Sequence, residues 1–455
     1  MNRFARLALL PALAPWALAH AADGELDPAF GTGGIVRMDE IQPEYPAVAV
    51  QPDGRILLCD AKHGEPGTGY NFYVVRLDPD GTRDAAFGTG GALMIPFELP
   101  DYGDDFCHGI AIEADGHIVV AGARMLSSFP DPIRWDIAVA RINADGTLDA
   151  AFGSDGRLEF LFDGYTYGGI ATSVAIDAED RIVVAGAVQS ADFGRRIGIA
   201  RIESDGSFDA TFGIGGQATI PAQMGDDGGT ANAVAIDADG RIFVACGHGT
   251  GGELARLLPD GSPDATFGDG GIAAAGLDGA GGSGSLVALA IDAEDRPVAA
   301  GYRWRNDGDY GKDTIAVRFL SDGSRDATFG DGGIAAVTFD LGLEQGDQSE
   351  ASALAIEPDG KIVLVGGAVQ NFPAGGLATV ARLDARGALD PTFGQDGKAT
   401  FDVSAFPRGE QWLSGVAMQG ARIVAVGGNV DVEDGREGDI VLRLIADRIF
   451  GDAFD

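Results

Sequence analysis

The sequence predicts an all-β protein, a seven-bladed β-propeller with four antiparallel strands in each blade. Three observations predict this fold. A phrase ending in Asp-x-x-Phe-Gly occurs seven times, each repeat contains four short apolar segments, and 71 of the 455 residues are glycine. Glycine is unfavourable inside helices but common in the tight turns between strands. Long tandem repeats are typical of propellers and solenoids.

The repeated phrase fixes the length of the unit. Its first copy is "LDPAFG" (26–31) and its last is "LDPTFG" (389–394). The gaps between successive phenylalanines are 57, 65, 60, 55, 62 and 64 residues, which predicts one structural unit with loops of variable length. The phenylalanines are Phe30, Phe87, Phe152, Phe212, Phe267, Phe329 and Phe393.

Each unit contains four apolar segments, which we interpret as strands a to d. Strand a is rich in alanine, as in "SVAI" (173–176), and this suits an innermost position where seven strands crowd around one axis. Strands b and c follow, as in "RIVVAGA" (181–187) and "IAVARI" (137–142). The outermost strand d follows the Phe-Gly turn, as in "GIVRM" (34–38). The β-branched composition and the bounding Gly, Asp and Pro residues favour strands.

The two ends of the repeat array predict how the ring closes. The first phrase has no blade before it, so residues 33–38 form a strand d without strands a, b and c. The last unit has strand a (415–418), strand b (422–428) and strand c (440–445) but no strand d. We therefore expect the N-terminal strand to complete the last blade, which would remove exposed sheet edges.

An arginine in every strand c supports this closure. In the first six units an aspartate follows eight residues later, a spacing that carries the chain around the c–d turn and back. Arg443 has no such partner, and we expect Asp27 to supply it. Such pairs are charge-assisted and can be bidentate. The predicted structural pairs are Arg76–Asp84, Arg141–Asp149, Arg201–Asp209, Arg256–Asp264, Arg318–Asp326, Arg382–Asp390 and Arg443–Asp27.

The segments "AVAVQPDGRILL" (47–58) and "RINADGTLDAAFG" (141–153) resemble the delta-60 repeat family of bacterial exported proteins. The resemblance covers about residues 25–445, and the strand order is similar to that of NHL-type propellers. It implies a propeller in a cell-surface or secreted setting, and it implies no known reaction.

Three regions are expected along the chain. Residues 1–21 are predicted to be a signal peptide, with Arg3 and Arg6 before the apolar stretch 7–19 and a small–x–small cleavage site at 19–21. The apolar stretch is too short to span a bilayer. Residues 22–446 form the propeller, and 447–455 form an acidic tail for which a sorting signal is the alternative. The protein is expected to be secreted or periplasmic, with a cell-surface position as an alternative, and without membrane insertion after cleavage.

Charge and cysteine content limit the partners. The net charge of −37 excludes nucleic-acid binding, which needs a basic surface. We expect a monomer. Export permits one disulfide among Cys59, Cys107 and Cys246. Cys59 and Cys246 lie in apolar strand patterns, which favours small buried core residues, and whether Cys59 and Cys107 form a disulfide stays open.

The loops b–c and d–a would emerge on one face of the ring, where function usually lies. Their aromatic residues beside carboxylates suit sugar or peptide recognition, although these residues could instead pack their own loops. The main expectation is therefore a non-catalytic scaffold that binds a glycan or a protein. The candidate ligand-binding residues are Tyr102, Trp135, Tyr167, Trp304, Tyr310 and Trp412.

Two alternatives remain open. One is a calcium-assisted hydrolase or lactonase with a metal in the central channel, held by residues near the start of strands a. Its candidate ligands are Asp105, His108, Asn232 and Glu350. The other is a cell-surface adhesion protein. Catalysis is less favoured, because the sequence has no closely spaced histidine pair and no G-x-S-x-G motif. The acidic Asp-Gly segments are typical of tight turns.

Overall fold

The computed structural model describes most of the repeat array. The predicted signal peptide (1–21) and tail (447–455) lie outside the described residues. The described residues are 22–64, 69–97, 103–127, 134–165, 168–190, 194–220, 229–247, 251–277, 283–305, 311–339, 341, 348–369, 376–403, 409–431 and 437–446. Within them all regular secondary structure is β-strand. No helix that could cross a membrane is found in this described part of the chain.

The strands are, in chain order, β1 (Ile35–Met38), β2 (Gln42–Val50), β3 (Ile56–His63), β4 (Tyr70–Leu77), β5 (Ala92–Ile95), β6 (Asp105–Ile112), β7 (Ile118–Ser127), β8 (Arg134–Ile142), β9 (Arg157–Phe160), β10 (Gly168–Ile176), β11 (Ile182–Gln189), β12 (Arg195–Ile202), β13 (Gln217–Ile220), β14 (Thr230–Ile236), β15 (Ile242–Gly247), β16 (Glu253–Leu257), β17 (Ile272–Ala274), β18 (Gly284–Ile291), β19 (Pro297–Trp304), β20 (Lys312–Arg318), β21 (Ile334–Val337), β22 (Gln348–Ile356), β23 (Ile362–Val369), β24 (Gly376–Leu383), β25 (Lys398–Phe401), β26 (Gly409–Met418), β27 (Arg422–Asp431) and β28 (Glu437–Ile445).

Consecutive strands pair antiparallel in groups of four, beginning with β2–β5. The N-terminal strand β1 pairs antiparallel with β28 and gives the order β1-β28-β27-β26. Single parallel pairings, Trp135 with Gly168 and Lys312 with Gln348, join two pairs of groups into eight-stranded sheets. Among the described strands no sheet closes on itself, because the first and last strands of each order are not paired.

The groups pack face to face through their first strands. Strand β2 contacts β6, and the contacts continue through β10, β14, β18, β22 and β26, which in turn contacts β2. Apolar side chains from adjacent groups fill the space between the sheets. The cluster between the last and first groups, for example, contains Met38, Leu58, Tyr73 and Val441. The phenylalanine of each repeated phrase is fully buried.

The arginine of each strand c joins neighbouring parts of the array. The nitrogen–oxygen distances are 2.8 Å for Arg76–Asp84, 2.7 Å for Arg201–Asp209, 2.8 Å for Arg256–Asp264, 2.8 Å for Arg318–Asp326, 2.9 Å for Arg382–Asp390 and 3.0 Å for Arg443–Asp27. Arg141 contacts Asp149 and also donates from its Nε to Glu113, at 2.9 Å. Asp27 accepts a further bond from Arg422, at 2.9 Å. These side chains are nearly all buried. The arginines of strands c and the aspartates of the repeated phrase therefore have structural roles.

Two cysteines are bonded to each other. Cys59 on β3 and Cys107 on β6 form a disulfide, with Cα atoms 5.9 Å apart. The interpretation of Cys59 as a simple core residue was therefore incomplete, because its side chain points across the boundary between two strand groups. Cys246 is a free, buried thiol, and burial raises its pKa far above the ordinary value.

Candidate functional site

The candidate aromatic residues that the structure describes lie on strands rather than on loops. Tyr102, Tyr167 and Tyr310 lie outside the described residues. Three tryptophans lie on strands rather than loops: Trp135 near the start of β8, Trp304 at the end of β19 and Trp412 within β26. The expectation that they lie on loops was wrong because the strands extend beyond their apolar cores. In β26, pairing with β27 continues to Gly409.

Two of these tryptophans have packing roles. The Trp135 ring lies 6.0 Å from that of Phe106, and its backbone faces Gly168, where a Cβ atom would come within 2.8 Å of the Trp135 carbonyl oxygen. The Trp304 ring lies 4.7 Å from the Lys312 ammonium. Trp412, in contrast, lines an open cleft.

Two of the candidate metal ligands, His108 and Asn232, form structural bonds between strand groups. His108 Nδ1 lies 2.9 Å from the Ala171 carbonyl oxygen, and the Asn232 amide donates to the Leu286 carbonyl, at 2.7 Å. Each stands at a β-bulge in the first strand of its group. Burial lowers the pKa of His108, although its bond to Ala171 opposes the shift, so a neutral imidazole fits this position.

The other two candidates have different partners again. Asp105 accepts a bond from the Phe97 amide, at 3.1 Å, and burial raises the pKa of Asp105 to about 7. Glu350 lies 3.1 Å from Lys312. The predicted calcium ligands therefore do not meet in a common site. The prediction failed because each of these side chains is held by a different partner, and the two at bulges, His108 and Asn232, bond to a carbonyl of the next strand group.

One other group of acidic residues could hold a metal by distance alone. Glu113, Asp115 and His117 place their ligand atoms within 4.8 Å of one another. The Arg141 guanidinium, however, already bonds to Glu113 and lies 3.4 Å from Asp115. His117 also occupies the turn position that carries an ion-paired arginine in other repeats, as at Arg181 and Arg241. We interpret the group as an ion-pair network in which the guanidinium supplies the positive charge.

The cleft beside Trp412 has a volume of about 350 Å³ and lies over the first strands of the last two groups. Two glutamates from neighbouring strands line it, Glu350 on β22 and Glu410 on β26. Its polar and aromatic lining residues are Tyr45, Lys312, Gln348, Ser349, Glu350, Ser352, Glu410, Gln411 and Trp412. Tyr45 is 65% exposed and Trp412 is half-buried, so two aromatic rings are accessible beside carboxylates.

Bulges and opposing glycines shape this cleft. The register of β22 shifts at Ser352, and that of β26 shifts at Ser414. At these bulges the Glu350 and Trp412 carbonyls press against the next strand. A Cβ atom on Gly366 or Gly427 would lie 1.9 Å from the respective carbonyl oxygen. Glycine in strand b is therefore required for the backbone that carries Glu350 and Trp412.

Lys312 fixes one of the two carboxylates. Its ammonium lies 3.1 Å from Glu350, 4.4 Å from the Tyr302 ring centre and 4.7 Å from that of Trp304. Cation–π contacts of this kind hold a lysine in place. Glu410 is exposed, and none of the described residues forms an ion pair with it. Within the described residues, the cleft thus combines a carboxylate that Lys312 anchors with a carboxylate that has no ion-pair partner.

Sequence reasoning identified Glu350 and Trp412 but missed Lys312, Glu410 and Tyr45. These residues lie outside the repeated phrase, so the pattern did not select them. The one available signal was the proximity of Glu410 to Trp412 in "GEQW" (409–412). Lys312 could be placed beside Glu350 only once the parallel pairing with Gln348 was known.

Comparison with known proteins supports the repeat architecture. A family model described as a β-propeller domain of unknown function, DUF5122, matches residues 51–87, 113–152, 180–212, 238–267 and 357–393. The matched segments cover less than half of the chain, and they support a β-propeller repeat architecture. No curated protein matches the sequence.

Solved structures with a similar fold include a polysaccharide lyase, with 10% identity, a TM-score of 0.49 and coverage of 95% of this chain and 94% of that one. The periplasmic gluconolactonase of Pseudomonas aeruginosa has 12% identity, a TM-score of 0.43 and coverage of 86% and 95%. An α-L-arabinofuranosidase of Fusarium graminearum has 8% identity, a TM-score of 0.44 and coverage of 74% and 92%.

All three of these proteins are enzymes, and this comparison contradicts the expectation of a non-catalytic scaffold, which is withdrawn. At these identities and TM-scores the likeness assigns no reaction or substrate to this chain. Any function must be argued from its own residues.

Proposed function

We propose that the protein is an enzyme that hydrolyses a glycosidic bond of a neutral carbohydrate in the cleft beside Trp412. One observation carries the proposal: two glutamates, Glu350 and Glu410, line a single open cleft together with accessible aromatic rings. Paired carboxylates are the usual machinery of glycoside hydrolysis. A mostly apolar concavity with a few convergent polar groups is the usual form of a small-molecule site.

The aromatic rings account for substrate binding. The apolar face of a sugar ring can lie against Trp412 or Tyr45, while the Gln348 amide can bond to its hydroxyl groups. Lys312 is the only cation among the described lining residues, and it is already paired with Glu350. The cleft therefore has no free positive charge to neutralise an anionic sugar, which favours a neutral one.

The two carboxylates account for the chemistry. Glu410, as a carboxylic acid, donates its proton to the glycosidic oxygen as the bond from that oxygen to the anomeric carbon breaks. Glu350, as a carboxylate, accepts a proton from water while the water oxygen bonds to the anomeric carbon. Lys312 is a positioning residue, because it holds Glu350 in one place through the contact at 3.1 Å.

Hydrolysis of a panel of neutral polysaccharides tests this proposal, with release of reducing ends as the readout. Glu350→Gln and Glu410→Gln should each lower turnover by at least about a hundredfold, the usual contribution of general acid–base catalysis. Glu179→Gln, which changes a glutamate that is 67% exposed in a distant turn, is the matched control. Absence of release by the wild type on every polysaccharide, or full activity of both cleft variants, would contradict the proposal.

We also propose that the seven strand groups are the blades of one ring, with β1 as the outer strand of the last blade. The pairing of β1 with β28 supports this, as does the contact of β26 with β2. Backbone bonds repeat across every boundary. Gly31 donates to the Asp80 carbonyl, at 2.8 Å, and Gly394 donates to that of Asp23, at 2.9 Å.

Export to the periplasm or the outside is part of the proposal. The Cys59–Cys107 disulfide supports it, because disulfides persist in oxidising compartments. The protein would act there as a monomer, without nucleic-acid or membrane partners. Recovery from the exported fraction of a chain that begins at Ala22 is the supporting measurement, and retention of residues 1–21 in the cytoplasm contradicts it.

A further inference from the structure

Two buried carboxyl groups face each other where the last strand group meets the first. Asp439 on β28 is 1% exposed and Asp60 on β3 is 2% exposed. Alternation along a strand places Asp60 on the same side as Leu58, and Asp439 on the same side as Val441. Leu58 and Val441 belong to one apolar cluster at this boundary. Cys59 points the opposite way, to Cys107.

Among the described residues, no cation forms an ion pair with Asp439. Within the described residues, neither of its oxygens accepts a bond from an N–H or hydroxyl donor. Its hydrogen-bonding contact is with the Asp60 carboxyl, and Glu40 adds a further negative charge nearby. A carboxylate can only accept, so two carboxyl groups bond to each other only when one carries a proton. Burial and Glu40 raise the pKa of Asp439 well above its ordinary value, although the bond to Asp60 opposes the shift.

The other charged groups on the elements packed here are already engaged. Arg83 pairs with Glu40. Lys62 lies over the Tyr73 ring, at 4.5 Å. Arg37 on β1 donates to the Val403 carbonyl.

We propose that Asp60 and Asp439 share one proton, and that this proton holds β28 against β3 and makes the boundary between the last and first strand groups less stable as the pH rises. Loss of the proton leaves two buried carboxylates in contact, which repel each other and must be hydrated. The first part of the array to loosen as the pH rises is then the boundary completed by β1.

Thermal unfolding as a function of pH tests this pair. The folded pKa of Asp439 is raised, so the folded state keeps a proton that the unfolded state releases above its carboxyl pKa of about 4. The free energy of unfolding therefore falls as the pH rises from the unfolded-state pKa to the raised folded-state pKa of Asp439. Asp439→Asn keeps a hydrogen-bond donor for Asp60 and removes the titration. The wild type should lose several degrees of Tm between pH 5 and pH 8 relative to Asp439→Asn, and Asp60→Asn should behave like Asp439→Asn. Asp396→Asn, an exposed position, is the control and should follow the wild type.

Parallel pH profiles for the wild type and Asp439→Asn would overturn the proposal. A rise in the Tm of the wild type with millimolar calcium at pH 8, absent from Asp439→Asn, would also overturn it. The two carboxyl groups would then share a metal ion instead of a proton. If Asp439→Asn does not fold, the infrared carbonyl band of a protonated carboxyl group decides for the wild type. The band should be present at about pH 6, where ordinary carboxyl groups are ionised, and should vanish as the pH is raised. Its absence at that pH overturns the proposal.

Discussion

Arg201 shows how one residue of the repeat satisfies three neighbours. Its Nε donates to Asp209, at 2.7 Å, and its Nη1 donates to the Pro259 carbonyl of the next strand group, at 2.6 Å. Its guanidinium carbon lies 4.8 Å from the centre of the Phe212 ring. Burial alone would raise the pKa of Asp209, but bonds from Thr211 and Arg201 outweigh it and lower the pKa to about 2. The repeated Arg, Asp and Phe therefore have structural functions.

Lys312 is the residue on which the anchored carboxylate depends. Lys312→Met removes the ammonium that holds Glu350, so turnover should fall by up to about a hundredfold, as expected for a misplaced catalytic group. The substrate KM should change little, because Lys312 is not expected to touch the sugar. Lys312→Arg should restore part of the turnover. Steady-state kinetics on the cleaved polysaccharide measure both quantities, and a rise in KM with unchanged kcat would assign Lys312 to binding instead.

The N-terminal segment acts as an element of the last strand group. Asp27 is 5% exposed and contacts both Arg443 and Arg422. The amide of Gly24 donates to the Ile445 carbonyl, at 2.8 Å, and that of Asp27 donates to the Arg443 carbonyl, also at 2.8 Å. The segment thus supplies the turn and the strand that the last repeat lacks.

Asp27→Ala leaves two guanidinium groups without their carboxylate and should destabilise the protein by about 3 kcal/mol. In a double-mutant cycle with Arg443→Ala, the coupling free energy should be about 1–3 kcal/mol. Denaturant unfolding measures both values. Additive effects would mean that the two side chains do not interact and would contradict closure by this segment.

Much of the element order could be predicted from the sequence. Repeat spacing and turn residues indicated the strand pattern, and the eight-residue Arg–Asp spacing indicated where the chain turns back. The ends of the strands were not predictable, because β8 and β26 continue through polar and aromatic residues that read as loop. The cleft was only partly predictable. Lys312 and Glu350 are 38 residues apart and meet only because adjacent strand groups pack side by side.

At the scale of the whole molecule, structural and chemical roles fall on different residues. The repeated Arg, Asp and Phe residues bond to one another or to the next group, and the His108 and Asn232 side chains do the same at the bulges. Glu350, Glu410 and Trp412 lie where the repeats differ from one another, and all three line an open cleft. Hydrolysis in that cleft is the central claim.

The most direct test combines turnover and binding of one neutral oligosaccharide. Mass spectrometry should show that the wild type converts it to two shorter products, each bond cleavage adding one water. Glu410→Gln should leave the same oligosaccharide intact. It should bind the oligosaccharide with a Kd close to that of the wild type, measured by calorimetry at times too short for appreciable cleavage. Binding by the wild type without any cleavage, under conditions where Glu410→Gln binds equally well, would contradict the claim.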